Sequence, residues 1–131
     1  MLAYRSRVAV EHGVDKQARI FSPGSRDEGK LDILVNNAAM MSLPEPEGSW
    51  QKLIDAADLI TVGLRSHFVA SWHAAPLLIA NARGLIVDTG HYGAVSYDNG
   101  PPYGTQKAGA DKMAADMAHE LRAQNIAAVS V

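Results

Sequence analysis

Apolar residues in this chain cluster in short blocks rather than alternating singly. Val8-Ala9-Val10, Ile33-Leu34-Val35 and Leu85-Ile86-Val87 each stand between polar or glycine-rich stretches. Such unbroken aliphatic runs predict strands buried on both faces, as in parallel sheets. Residues 126–131 predict a last strand of the same kind. Between the second and third runs the period changes. Leu53, Ala57, Ile60, Leu64, Phe68, Trp72, Ala75 and Ile79 recur at three- and four-residue steps, which predicts a long helix over 50–81 with these residues as its apolar stripe. Ser49 is placed to cap it, Gly63 interrupts its middle, and Pro76 bends its last turns. A second helix is predicted over 103–124, burying Ala110, Met113, Ala114, Met117 and Leu121, with Asn125 as its stop.

The stretches between these elements are also informative. Residues 11–30 are charged and irregular, and Ser22-Pro23-Gly24-Ser25 breaks any helix there. Residues 88–102, rich in Gly, Pro, Tyr and Asn, read as an active-site loop. There is no internal repeat. Strands alternating with helices imply right-handed βαβ units and a parallel sheet, hence an α/β fold. With 131 residues, a single domain over 1–131 is expected.

Composition narrows the function more by exclusion. Twelve basic residues are scattered among fourteen acidic ones, for a net charge of −2, so no nucleic-acid partner is expected. Cysteine is absent, which removes disulfides and thiolate chemistry. The five histidines, His12, His67, His73, His91 and His119, show no metal-binding spacing, and His67 and His73 read as ordinary helix-face residues. No apolar run approaches the roughly 18 residues that span a bilayer, and the start lacks the apolar core of a secretory signal. No integral membrane segment and a cytoplasmic location are therefore expected.

The candidate chemistry lies in PPYGTQKAGADKM. Tyr103 and Lys107 are four residues apart at the start of a predicted helix, so their side chains stack on one face. A free phenol titrates at about pH 10, too high for ready proton exchange at neutrality. A cation one turn away is expected to lower that value toward a useful range. Upstream, Asn36 and Asn37 close the strand 33–35 at its carboxyl end, where open α/β sheets bind ligands.

Together, LDILVNNAA and the YxxxK pair resemble the short-chain dehydrogenase/reductase family, over about 8–131. The resemblance implies a partial doubly wound, three-layer Rossmann-like parallel sheet. It also implies hydride transfer between NAD or NADP and a small carbonyl or alcohol substrate. Tyr103 would exchange the substrate proton, while Lys107 would lower the tyrosine pKa and hold the nicotinamide ribose. Asn36, Asn37 and Ala38 would line the adenosine side, with Ala39 standing where the family carries glycine. Glu11 would sit near the adenine.

Departures from the family pattern shape the rest of the expectation. No glycine-rich turn follows an apolar strand, so the first strands and the pyrophosphate site are expected to be missing, as are the C-terminal strand and substrate region. The chain then reads as truncated at both ends and as binding cofactor too weakly for turnover. In a sheet ordered 3-2-1-4-5-6, the strand 33–35 would be left with an unpaired apolar edge. Where the family carries its serine, Gly90 and His91 stand. His91 lies twelve residues before Tyr103 and could donate to a carbonyl oxygen, whereas Ser96 lies close to the tyrosine for that geometry. Gly63 replaces the family's assisting asparagine. These gaps keep open a non-catalytic interaction module, assembling as a homo-oligomer through the two long helices, or a nonfunctional truncated product.

Overall fold

A computed structural model describes residues 8–10, 31–40 and 54–131 of the chain. The readings made for Glu11, Ser22-Pro23-Gly24-Ser25, Ser49 and Leu53 lie outside the described residues. Four parallel strands form one sheet in the order β1-β2-β3-β4. They are β1 (Val8–Val10), β2 (Ile33–Asn36), β3 (Gly84–Asp88) and β4 (Ile126–Ser130). All four apolar runs are therefore strands.

The edge of β2 is not free, contrary to expectation. β1 pairs with it directly, Val8 opposite Ile33, Ala9 opposite Leu34 and Val10 opposite Val35. The physical reason is backbone satisfaction: a strand rich in unpaired N–H and C=O groups takes whatever extended segment the chain brings alongside it.

Between β2 and β3 the chain winds through a 3-10 turn (Ile54–Ala57), helix α1 (Asp58–Ile60), a π turn (Thr61–Arg65) and helix α2 (Ser66–Ala80). The interruption expected at Gly63 is thus one wide turn rather than a break. Pro76 lies inside α2. Helix α3 (Pro101–Glu120) joins β3 to β4 and ends through a 3-10 turn (Arg122–Gln124) at Asn125. Asn125 is left-handed, with φ 59° and ψ 39°, as its role of helix stop requires. Among the described residues no helix is long and apolar enough to cross a membrane.

The core lies between one sheet face and these helices. Leu34 and Ile86 in the middle of the sheet are covered by Ala70, Ala74 and Leu78 of α2, with Leu31, Ile126 and Ala128 at the margins. From α3, Ala110 and Ala114 are buried, and Met117 and Leu121 pack partly against the core. Only part of the expected stripe of the long helix is covered, Ile60, Leu64 and Ala75 being half-buried. Phe68, Trp72 and Ile79 are exposed, and α2 turns Ser66, His67, Ala70, Ser71, Ala74 and Leu78 inward. Small residues let the helix backbone sit close to the sheet. Phe68 and Trp72 are left outside.

Candidate active site

Tyr103 and Lys107 open α3 over the carboxyl edge of the sheet. Gly100, at φ 84°, turns the chain into the helix, and Pro101 and Pro102 occupy its first positions, where a missing N–H costs nothing. Both side chains are buried, Tyr103 6% and Lys107 5% exposed. They share one helix face, the Lys107 Nζ lying 5.8 Å from the centre of the Tyr103 ring.

A short chain of bonds ties Lys107 to the main chain of Asn36. Lys107 Nζ donates to the Thr89 carbonyl at 2.7 Å. The Thr89 N–H donates to the Asn36 carbonyl at 3.0 Å, and its hydroxyl reaches the same oxygen at 3.3 Å. Asn36 is fully buried, its Nδ2 donating to Ser71 Oγ at 2.9 Å. Asn37 is exposed and Ala38 half-buried, with the Ala38 carbonyl 3.0 Å from His67 Nε2. Asn36, Lys107 and Tyr103 therefore converge on one end of the sheet. Glu11 lies outside the described residues.

His91 joins them from the loop after β3. Its ring meets Tyr103 edge-on, 5.4 Å between centres. Its Nδ1 accepts the Gly93 N–H at 3.1 Å and lies 3.4 Å from Asp98 Oδ2. Gly93 is what allows this close approach. A Cβ there would come within 3.2 Å of both His91 Nδ1 and Tyr103 Cε1. Ser96 is exposed, its N–H donating to the Tyr92 carbonyl. Gly90 donates its N–H to the Val131 carbonyl at 2.7 Å.

The electrostatics reverse one expectation. Burial pushes the Tyr103 pKa up from its ordinary value, and the Asp98 carboxylate and then Tyr92 add to the rise. Burial pulls the Lys107 pKa down, opposed by the negative charges of Asp111 and Asp88. Loss of water around the phenol outweighs a cation bonded elsewhere, to Thr89. The phenol is thus held protonated across neutral pH.

Three residues of this region are absent from the sequence reading. Asp98 was hidden in a loop read only by composition. Asp88 closes β3, fully buried, 3.1 Å from the Nδ1 of His67, which is also fully buried rather than on an open helix face. Gln106 is fully buried one position before Lys107, and its amide fills the space beside Gly63. The adjacency of Gln106 to Lys107 was the one available signal. Among the described residues no three acidic or histidine side chains gather as a metal site.

The sheet is parallel and α/β, and the tyrosine–lysine helix face stands at its carboxyl edge. Residues 9–131 match the family described as short chain dehydrogenase, and the chain belongs to that oxidoreductase family. It is 38% identical over 109 residues to human dehydrogenase/reductase SDR family member 1, covering 79% of this chain and 35% of the relative. It is also 36% identical over 75 residues to the mitochondrial borneol dehydrogenase of Lavandula x intermedia, covering 57% of this chain and 29% of that protein. The chain thus spans about a third of the length of these curated relatives. Among solved structures, a gluconate 5-dehydrogenase from Burkholderia cenocepacia in complex with NADP and tartrate superposes with a TM-score of 0.75. The match covers 89% of this chain and 46% of that one at 20% identity. A short-chain dehydrogenase from Streptomyces avermitilis gives a TM-score of 0.74 at 18% identity, covering 88% and 42%. These two likenesses concern the fold alone.

Proposed function

We propose that the chain carries the acid–base half of a nicotinamide-dependent oxidoreductase acting on a small carbonyl or alcohol, within one partial nucleotide-binding domain. The observation that carries this reading is the burial of Tyr103 and Lys107 on one helix face, with Lys107 linked through Thr89 to the Asn36 carbonyl. The residues present fit the nicotinamide-ribose end of NAD or NADP. A lysine has three N–H donors, and among the described residues Lys107 uses one of them on Thr89, leaving the others for ribose hydroxyls. Asn37 and Ala38 offer backbone at the adjoining strand end for the adenosine side. When bound, the nicotinamide supplies or accepts the hydride.

In the direction of reduction, Tyr103 gives its hydroxyl proton to the substrate oxygen as the carbonyl carbon gains hydride. In oxidation, the phenolate takes the alcohol proton back. The raised phenol pKa supports the first role at neutral pH. His91, edge-on to the tyrosine, steadies the carbonyl from its other ring nitrogen in place of the family serine. The test supplies a nucleotide-binding segment from a relative in one fused chain and follows NAD(P)H oxidation with small carbonyls. Turnover is expected to fall by about 10²- to 10⁴-fold in Tyr103→Phe. An unchanged rate in that variant rejects the assignment.

One observation favours a second role alongside or instead of this one. Phe68, Trp72 and Ile79 form an exposed apolar stripe on α2, which suits assembly of copies through the long helices. If no fused form transfers hydride while the native chain self-associates, the chain is an interaction module of cytoplasmic type rather than an enzyme part.

A further inference from the structure

The carboxyl ends of β3 and β4 and the first half of α3 are tied together beside Lys107. Asp88 and Ser130, the last residues of the two strands, pair in register. Beyond them the Gly90 N–H donates to the Val131 carbonyl at 2.7 Å, and the Val131 N–H donates to the Asp88 carbonyl at 3.1 Å. From α3, the half-buried Asp111 accepts a hydrogen bond on Oδ1 from Ser130 Oγ. Its carboxylate is thereby fixed at the end of β4. Gly90 leaves the room for this bond. A Cβ at position 90 would lie 2.7 Å from Ser130 Oγ and 3.3 Å from Asp111 Oδ1, the first distance being well inside contact.

Asp111 follows Lys107 by four residues in α3, so the two side chains leave the helix on one face. The lysine bonds to the Thr89 carbonyl, not to this carboxylate, so Asp111 acts on it through space. Burial pulls the Lys107 pKa down, and Asp111 is the larger of two negative charges that oppose the fall, the other being Asp88 of β3. The Tyr103 ring, on the same helix, is the third titratable group facing the amine, 5.8 Å from Nζ to its centre. A carboxylate held by a hydrogen bond keeps its charge at a set distance from the ammonium, whereas a freely rotating one would not.

We propose that Asp111, anchored by Ser130, is a positioning residue for Lys107, a fixed negative charge one helical turn away that keeps the buried amine an ammonium facing Thr89. Its bearing on a nicotinamide ribose rests on the function proposed above. The charge relationship does not.

Titration of the Lys107 Cε resonance in the full chain, assigned with Lys107→Met, tests this. Asp111→Asn keeps an oxygen to accept from Ser130 but loses the charge, so the Lys107 curve is expected to move to lower pH. Asp111→Glu keeps the charge and should stay nearer the native curve. Ser130→Ala keeps the charge but frees the carboxylate, and its curve should fall between native and Asp111→Asn. Gly90→Ala crowds the same hydroxyl and should follow Ser130→Ala. An unmoved curve in Asp111→Asn, or equal shifts in Asp111→Asn and Asp111→Glu, overturns the proposal, as does an unmoved curve in Ser130→Ala. If Asp111→Asn does not fold, the Ser130→Ala curve decides alone. NADH and NADPH titrations keep the two readings apart. Where the native chain binds a nucleotide, affinity in Asp111→Asn should be lost at a lower pH than in the native chain, in step with the Lys107 curve. Binding together with an unmoved curve rejects the role of Asp111 and leaves the oxidoreductase reading standing. If the native chain binds neither nucleotide, the cofactor reading fails while the Lys107 curves still decide the role of Asp111.

Discussion

The Gln106 side chain occupies the space that any side chain at position 63 would need. A Cβ built on Gly63 would lie 1.5 Å from Gln106 Oε1, far inside contact distance. Gly63 sits in the π turn and Gln106 immediately before Lys107, so the two long helices meet here through an absent side chain and a buried amide. Both polar atoms of that amide lack a protein partner among the described residues.

The two positions should be strongly coupled in stability. Gly63→Ala is expected to destabilise the chain by about 1–3 kcal/mol through overpacking. In a Gln106→Ala background the same change should become neutral or stabilising by up to about 1 kcal/mol, because alanine is the better helix former once the clash is gone. Urea unfolding of the four proteins closes the cycle. Additive effects would mean that the amide does not fill that space.

Asp98 should contribute to the raised titrations of Tyr92 and Tyr103. It is the largest cause of the raised Tyr92 pKa and the second, after burial, for Tyr103. Asp98→Asn is therefore expected to move both titrations toward lower pH, while Tyr103 stays above its ordinary value because its burial is untouched. Following the tyrosine Cζ resonances against pH, with Tyr103→Phe to assign them, measures this. Unmoved titrations would remove Asp98 from the electrostatics of the site.

Much of this arrangement could be read in the sequence, and the part that could not has a common physical cause. The strands 33–36 and 84–88 announce themselves because a parallel strand is apolar on both faces, so Ile33-Leu34-Val35 and Leu85-Ile86-Val87 leave little choice. The Tyr103–Lys107 face follows from helical geometry alone. The buried side of α2 does not, since it is built from Ser66, His67, Ala70, Ser71 and Ala74. A hydrophobicity count follows Phe68 and Trp72 to the surface instead. Small residues are chosen for closeness and polar ones for specific partners, and neither choice leaves an apolar period. Asp88 and Gln106 escape notice for the same reason. Polar residues inside an element read as solvent-facing until the partner across the chain is known. The pairing of β1 with β2 is also a long-range fact, which depends on what lies alongside rather than on either run.

Lys107 should give the chain a stability profile that rises with alkali. Burial lowers its folded pKa below the unfolded value of 10.5, so the folded chain releases this proton first. Between the two values the unfolded state binds more protons, and stability increases with pH across that window before levelling above 10.5. Relative to Lys107→Met, which carries no such charge, the native chain should thus gain as pH climbs toward the lysine range. Tyr103 acts oppositely. Its raised pKa favours the folded state below pH 10.0 and loses that contribution as pH rises through the folded value. Both proteins contain Tyr103, so its effect largely cancels in the difference. Unfolding free energies of the pair at a series of pH values provide the check, and a difference that shrinks or stays flat would contradict a buried ammonium.

The outward face of α2 should decide whether the chain is found alone. Phe68 is 56% exposed, Trp72 65% and Ile79 44%, at steps of four and seven residues along one side of the helix. Scattered apolar residues on a surface need no explanation, but a row of two aromatics and an isoleucine on one helix is a face to be covered. A second copy offers the same row, and a twofold axis would set aromatic against aromatic. One buried aromatic is worth roughly 1.5–3 kcal/mol, so Trp72→Glu should weaken self-association by about tenfold or more. Light scattering across a dilution series reads the mass. The emission of Trp72 should also shift to the blue as the native chain is concentrated. A native chain that stays monomeric at every concentration, with Trp72 emission unchanged, would leave the row without a partner copy and return the helix pair to a purely intramolecular role.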